Sequence, residues 1–289
     1  MSVAAAPAAA TDMPGTGCGA ARASWLSAAR EDGPVGWIEL DGAANVRDVG
    51  GLPTDDGRHV AERRLLRGDN LRDLSPADVT LLVTGLGLTA VIDLRSTEEA
   101  AVSGPGPLTR VGAVRHAHYS LLPELGSMSA ADMTAVRLDR AYSRHPDDVR
   151  CGLYLGYLEE RPDQVVAALR SIARASGTAM VHCAAGKDRT GVVVALALTV
   201  ADVRRDAVIA DYAASAERID AVLARLRGSQ PEGADIDGRP VDEQTPRAET
   251  MAAFLDQVDA RYGGARGWLA GHGFGAADAT MLRARLLQA

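Results

Sequence analysis

Apolar residues recur along this chain with two periods, and the places where one period gives way to the other mark out its elements. Residues 88–94, LTAVIDL, form a short continuous apolar run, rich in β-branched side chains, between Gly87 and the polar stretch RSTEEA. That pattern predicts a strand buried on both faces, with Asp93 at its C-terminal end. TAMVH at 178–182 predicts another. Shorter runs in WIEL, RHVAERRLLRG and VGAVRHAHY predict strands near 37–40, 58–68 and 111–119, the first two separated by the glycine-rich loop DGAANVRDVGGLPTDDGR.

Helices follow the 3.6-residue period. Ser75-Pro76-Ala77-Asp78 supplies an N-cap, a proline at the first helical position and an acid at the third, ahead of VTLLVTGLG. DQVVAALRSIARASG places Val165, Val166, Leu169, Ile172 and Ala173 on one face and predicts a helix closing at Gly177. TGVVVALALTVA is apolar all round, as in a helix enclosed by the core. Further helices are predicted in DAVIADYAASAERIDAVLARLR, RAETMAAFLDQVDARYGG, ARGWLAGHGFG and AADATMLRARLLQA, with a long loop, GSQPEGADIDGRPVDEQTP, among them. Residues 121–150 lack strand alternation and read as loops and short helices, either a lid over a site or a plain insertion. Strands alternating with helices through the middle predict an α/β fold with a mainly parallel central sheet flanked by helices.

The length of 289 residues, 47% hydrophobic and 24% charged, suits one domain over 25–289. Residues 1–24 are rich in alanine, carry no basic start and predict a disordered tail rather than a signal peptide. A formal net charge of -7 provides no global basic field for nucleic acid or an anionic membrane, so an anionic ligand must be gripped by a local cluster. No uncharged apolar run approaches the roughly 20 residues of a membrane span. Cys18, Cys151 and Cys183 show neither CxxC nor paired Cys/His spacing, which argues against a disulfide framework or a structural zinc. A reducing, cytoplasmic location is expected, with export lacking a recognisable signal as the alternative.

The candidate chemistry lies in VHCAAGKDRTG, residues 181–191, where a predicted strand meets a predicted buried helix. A glycine-containing turn there points main-chain N–H groups at one place, and the helix N-terminus adds partial positive charge. Cys183 stands at the start of that field, which favours a thiolate. Arg189, six residues on, offers a planar fork of donors to two oxygens of an oxyanion. A thiolate beneath a cradle for a tetrahedral dianion is arranged to attack phosphorus and form a cysteinyl-phosphate. Gly186 permits a backbone conformation a side chain would block, Thr190 can donate its hydroxyl to the sulfur, and His182 can support the loop from behind. Taken singly these residues have plain readings as a core cysteine, a solvated arginine and a turn glycine; the combination is far more constrained.

His182, Cys183, Gly186, Arg189 and Thr190 match HCxxGxxR[ST], so the chain resembles the protein-tyrosine-phosphatase superfamily. The fuller HCAAGKDRTG, with ANVRDVGG, LLRGDNL, VIDLRS and ADY, resembles its atypical bacterial tyrosine-phosphatase family, from about Gly42 to the C-terminus. The resemblance implies the cysteine-phosphatase fold and a phosphomonoesterase needing no metal or other cofactor. Its substrates would be phosphotyrosine, in some members phosphoserine or phosphothreonine, and phosphoinositides. Cys183 would be the nucleophile and Arg189 the clamp, with main-chain N–H groups of Ala184, Ala185, Gly186, Lys187, Asp188 and Arg189 lining the cradle. The Lys187 side chain would add charge for a second phosphate or an acidic substrate, or be merely solvated.

The leaving oxygen needs a proton donor. Asp93, by family position, is the first candidate and Asp188, inside the loop, the second; Asp93 has the alternative of pairing with Arg95. Arg47 and Asp48 are expected to hold a loop beside the site, with Arg47 paired to an acid. His116 and His118 could share a strand face, but no third metal ligand accompanies them. Tyr154 and Tyr157 could be packing residues or phosphorylation targets, and Cys151 could pair with Cys183 on oxidation. The competing functions are a phosphoinositide phosphatase of the same mechanism, a silent phosphate-binding module and, furthest behind, a sulfurtransferase. A deep, narrow pocket would favour phosphotyrosine and a wide, basic one inositol phosphates.

Overall fold

The computed structural model of the protein describes residues 36–123, 130–227 and 240–287; the tail expected over 1–24 lies outside the described residues. The predicted β-branched run forms β4 (Leu88–Asp93), between β5 (Arg115–His118) and the fully buried β6 (Thr178–His182). On the other side of β6 lies β3 (Leu65–Gly68), followed by two-residue strands β2 (Arg47–Asp48) and β1 (Gly36–Trp37). The order is β1-β2-β3-β6-β4-β5, with β3, β6, β4 and β5 parallel and β1 and β2 antiparallel at one edge. Because β6 inserts between β3 and β4, its C-terminal end opens between theirs, the place where parallel α/β sheets hold ligands.

The elements follow the sequence pattern, and three of the differences stand out. Ser75 caps α1 (Pro76–Thr80) in a reciprocal capping box with Asp78, and the segment continues as a π turn over Leu81–Gly85. The Val165, Val166, Leu169, Ile172 and Ala173 face of a later helix (Pro162–Ala173) is buried, but that helix ends at Ala173. Gly177 is not its cap. A Cβ there would meet the Gly87 carbonyl oxygen and Thr89 Cγ2, both at 2.6 Å, so this glycine lets two connections touch.

The second difference falls in residues 121–150, where one 15-residue helix (Ala130–Arg144) replaces the expected short ones. It packs on another (Val149–Glu160) through small residues: a Cβ on Gly152 would lie 2.0 Å from the Ala141 carbonyl oxygen. A close glycine–alanine contact of this kind carries no strong periodic signal. Third, β2 arises inside the stretch read as loop, since two paired residues leave no alternation to read. The TGVVVALALTVA segment forms the central helix (Asp188–Val200), buried along nearly its whole length as its uniform apolarity requires. No helix among the described residues is long and apolar enough to cross a membrane.

Candidate active site

The loop leaving β6 begins at Cys183 and enters the central helix at Asp188. Gly186 adopts a φ of 69°, and a Cβ there would fall 2.6 Å from the Gly68 carbonyl carbon and oxygen. Only glycine lets the loop pass this close to the end of β3.

The loop carbonyls are held outward. Asn70 N–H donates to the Ala184 carbonyl at 3.0 Å, the Asn45 side-chain amide to that of Ala185 at 3.0 Å, Arg67 to that of Gly186 at 2.9 Å, and Gly191 N–H to that of Lys187 at 2.8 Å. The main-chain N–H groups of residues 184–189 donate to no group among the described residues. Unengaged N–H groups at a helix start are the feature that the spacing predicts for an anion cradle.

Behind the loop stands a buried charge network. Arg67 donates to Asp211 Oδ2 at 2.5 Å and Arg47 Nε to Asp211 Oδ1 at 2.9 Å, with both guanidinium side chains fully buried. Burial pushes the Asp211 carboxyl up, but the two guanidinium groups more than offset this and hold it below its usual range. Burial, with Arg67 beside it, pulls Arg47 down to about 10. Arg47 also donates to Asn45 Oδ1 at 2.8 Å, which orients the amide that holds Ala185. Arg47 thus pairs with an acid, as expected, and reaches the loop through Asn45. Asp48 accepts from the N–H groups of Gly50 at 2.8 Å and Arg63 at 2.7 Å, pinning the β2–β3 connection.

A cleft of about 940 Å³ opens over the loop, lined by Cys183, Lys187, Asp188, Arg189, Glu99 and Tyr157 among others. Cys183 itself is 2% exposed. Both terminal nitrogens of Arg189 donate to the Glu99 carboxylate, Nη1 to Oε2 in a short contact and Nη2 to Oε1 at 2.8 Å. Arg189 Nε–H donates to no group among the described residues. Glu99 closes the capping box of the helix Thr97–Ser103 with Ser96, which places its carboxylate. Burial raises the Glu99 carboxyl while Arg189 and the cap bonds lower it further, leaving it below its ordinary value. Sequence reasoning missed Glu99, although the Ser96-x-x-Glu99 box inside RSTEEA was a signal for it.

The two candidate acids part company here. Asp188 lines the cleft, accepting from the Tyr154 hydroxyl at 2.6 Å with Lys187 Nζ 3.5 Å and Arg150 3.9 Å away. Burial raises its carboxyl, but Lys187, Arg150 and the Tyr154 bond bring it below the ordinary value. Asp93 does not line the cleft; it faces a separate cavity of about 460 Å³ with His116, His118 and His182. Arg95 grips it at 2.7 Å, and His182 and Arg95 overcome burial to hold its carboxyl well below the usual range. The structure therefore sets Asp93 in the pairing role and brings Asp188, not Asp93, to the cleft.

Of the supporting residues, His182 is buried with Nε2 3.7 Å from Asp93, and burial pulls its imidazole down to about 4. Thr190 Oγ1 is buried with no hydrogen-bond partner among the described residues, Cys183 included. Lys187 is buried and donates to the Gln244 carbonyl at 2.5 Å, so it is not the solvated lysine of the alternative reading. The Tyr154 ring is fully buried and its hydroxyl also meets that of Tyr212 at 2.7 Å, which makes it a structural partner of Asp188. Cys151 is buried away from the cleft lining, and burial pushes its thiol up to about 12. No group of three or more metal-ligating side chains occurs among the described residues, and His118 Nε2 sits 2.8 Å from the Arg95 carbonyl.

Comparison with known proteins agrees with this geometry. Residues 38–288 match the tyrosine phosphatase family. The chain is 31% identical over 245 residues to a candidate tyrosine-protein phosphatase of Cupriavidus necator, covering 80% of this chain and 82% of that protein. It is 30% identical over 282 residues to the triple specificity protein phosphatase PtpB of Mycobacterium tuberculosis, covering 86% and 98% respectively. With a tyrosine-protein phosphatase of Nostoc commune it shares 29% identity over 231 residues, 78% and 74% of the two chains. A thiol and a guanidinium around an outward-bonded loop, on a parallel sheet matched along nearly its whole described length, place the chain in the tyrosine phosphatase family.

Proposed function

We propose that the protein hydrolyses phosphotyrosine in proteins, with room for other phosphomonoesters, through a cysteinyl-phosphate formed on Cys183. The observation that carries this reading is the loop itself. Its carbonyls are tied back, its N–H groups are unengaged, and Cys183 and Arg189 line one cleft. The cradle and the Arg189 fork hold the phosphate dianion while Cys183 Sγ attacks phosphorus and the phosphorus–oxygen bond to the leaving group breaks. Asp188, in the protonated form that becomes populated toward acidic pH, gives its proton to the departing oxygen. Water then attacks phosphorus, Asp188 takes a proton from it, and the sulfur–phosphorus bond breaks to release phosphate. The Thr190 hydroxyl, buried and making no bond to Cys183 in this structure, is the group we assign as donor to the departing sulfur.

The cleft is large, which supports acceptance of more than one phosphoester class. It is not broadly basic: among the described residues six carboxylates line it against five cations, which favours a phosphopeptide over a polyphosphorylated inositol ring. The deciding experiment measures hydrolysis of para-nitrophenyl phosphate and a phosphotyrosine peptide in EDTA by wild type and Cys183→Ser. Activity that survives chelation in the wild type and disappears in the variant is expected. Folded, reduced wild-type protein that turns over neither substrate would instead support a phosphate-binding module.

A further inference from the structure

Of the five cations that line the cleft among the described residues, four are engaged. Arg189 is held by Glu99, and Lys187 donates to the Gln244 carbonyl. Arg150 donates to the Gln244 and Thr245 carbonyls, each at 3.2 Å, and Arg247 to that of Asp242 at 3.4 Å. Arg137 differs. It lies on the helix Ala130–Arg144, which forms one wall of the cleft, and among the described residues it takes part in no hydrogen bond or ion pair. Its Nε is buried and has no acceptor. A buried guanidinium nitrogen without a partner costs free energy unless something else supplies an oxygen.

The wall around Arg137 indicates what that group is. Leu122, Leu138, Leu153 and Tyr157 line the same cleft, and the Arg137 charge is felt at the Tyr157 hydroxyl. The fork suits a planar carboxylate, which it meets through two parallel N–H···O bonds. With six carboxylates among the described residues of the cleft wall, one further negative charge is tolerated far better than the several of a polyphosphate. We infer that Arg137 is a specificity-determining residue that receives the carboxylate of an acidic side chain flanking the phosphotyrosine of a protein substrate. This rests on the phosphotyrosine reading given above.

The test uses phosphotyrosine peptides carrying Glu or Gln, in turn, at each of the three positions on either side of the phosphotyrosine. In wild type, kcat/KM for the Glu peptide at one or more positions should exceed that for its Gln counterpart by about fivefold, the scale of a partly buried charge-assisted pair. Arg137→Ala should bring that ratio to about one, and Arg137→Lys, which keeps the charge without the fork, should retain part of it. Arg140→Ala, which removes an outward arginine of the same helix lying 3.5 Å from Glu160, should keep the full ratio. The inference is overturned if wild type shows no preference at any position, or if the preference survives in Arg137→Ala. It is equally overturned if Arg137→Ala leaves the peptide ratio intact but lowers turnover of a phosphatidylinositol bisphosphate relative to a monophosphate in vesicles, which would make the guest a second phosphate. Turnover of the Gln peptides reports the phosphotyrosine activity separately, so loss of that reading is distinguishable from loss of this one.

Discussion

Arg189 enters the cleft with both terminal nitrogens engaged by Glu99 and its Nε–H unengaged among the described residues. A guanidinium has five N–H donors, so the Glu99 pair leaves the Nε and Nη2 edge for two phosphate oxygens while fixing the plane of the fork. Glu99→Gln keeps the shape and loses the charge. It should lower kcat/KM for phosphotyrosine about ten- to a hundredfold, because small misplacement of a clamp is costly; steady-state kinetics on a phosphotyrosine peptide checks this. Tyr154 acts on the other candidate group. Its hydroxyl donates to Asp188, which also faces Lys187 and Arg189 from its own segment and Arg150 and Tyr212 from neighbouring helices. A donated hydrogen bond stabilises the carboxylate, so Tyr154→Phe should raise the Asp188 pKa. Activity that needs protonated Asp188 is lost as pH rises through that pKa. The alkaline limb of the kcat/KM profile should therefore move to higher pH in Tyr154→Phe, and an unmoved limb would remove Asp188 from the proton-donor role.

At the level of elements, the decisive contact is the passage of the loop beneath the end of β3. Gly186→Ala requires a left-handed backbone for a residue with a Cβ and pushes that Cβ into the Gly68 carbonyl and to within 2.7 Å of Asp69 N. Neither neighbour is a flexible side-chain end, so the loop must shift and its N–H groups lose their common focus. A fall in kcat/KM of about a hundredfold or more is expected, with weaker inhibition by orthovanadate as the direct measure of the damaged cradle. The β4 and β6 positions were legible in advance because their apolar runs are local. The β2 strand and the Ala130–Arg144 helix were not, since one is two residues long and the other packs through Ala141 against Gly152 in a contact that carries no strong periodic signal.

Across the whole molecule, ionisable groups buried under the site tie stability to pH. His182 has a folded-state pKa of about 4 against an ordinary 6.5, so the unfolded chain binds the proton more readily. Its contribution is complete above about 6.5 and disappears as pH falls toward about 4. Asp93 and Asp211, both lowered by their cationic partners, act in the same direction at still lower pH. The melting temperature should thus decline as pH drops below about 6.5, and His182→Asn should flatten the first part of that decline.

The sequence by itself determined the chemistry-bearing loop, the strand before it and the buried helix after it, because nucleophile, glycine and arginine occupy one continuous segment whose backbone geometry is local. It also determined that the middle of the chain is α/β, since hydrophobic period is a short-range property. Only the tertiary structure decided what holds and aims that loop: Arg67 and Gly186 are 119 residues apart, Glu99 and Arg189 are 90, and Tyr154 and Asp188 are 34. Whether a buried charge finds its partner depends on which distant strand ends and helix starts the fold brings within a few ångströms. For the same reason the choice between Asp93 and Asp188 at the cleft rested on side-chain direction at the end of the sheet, which no spacing along the chain encodes.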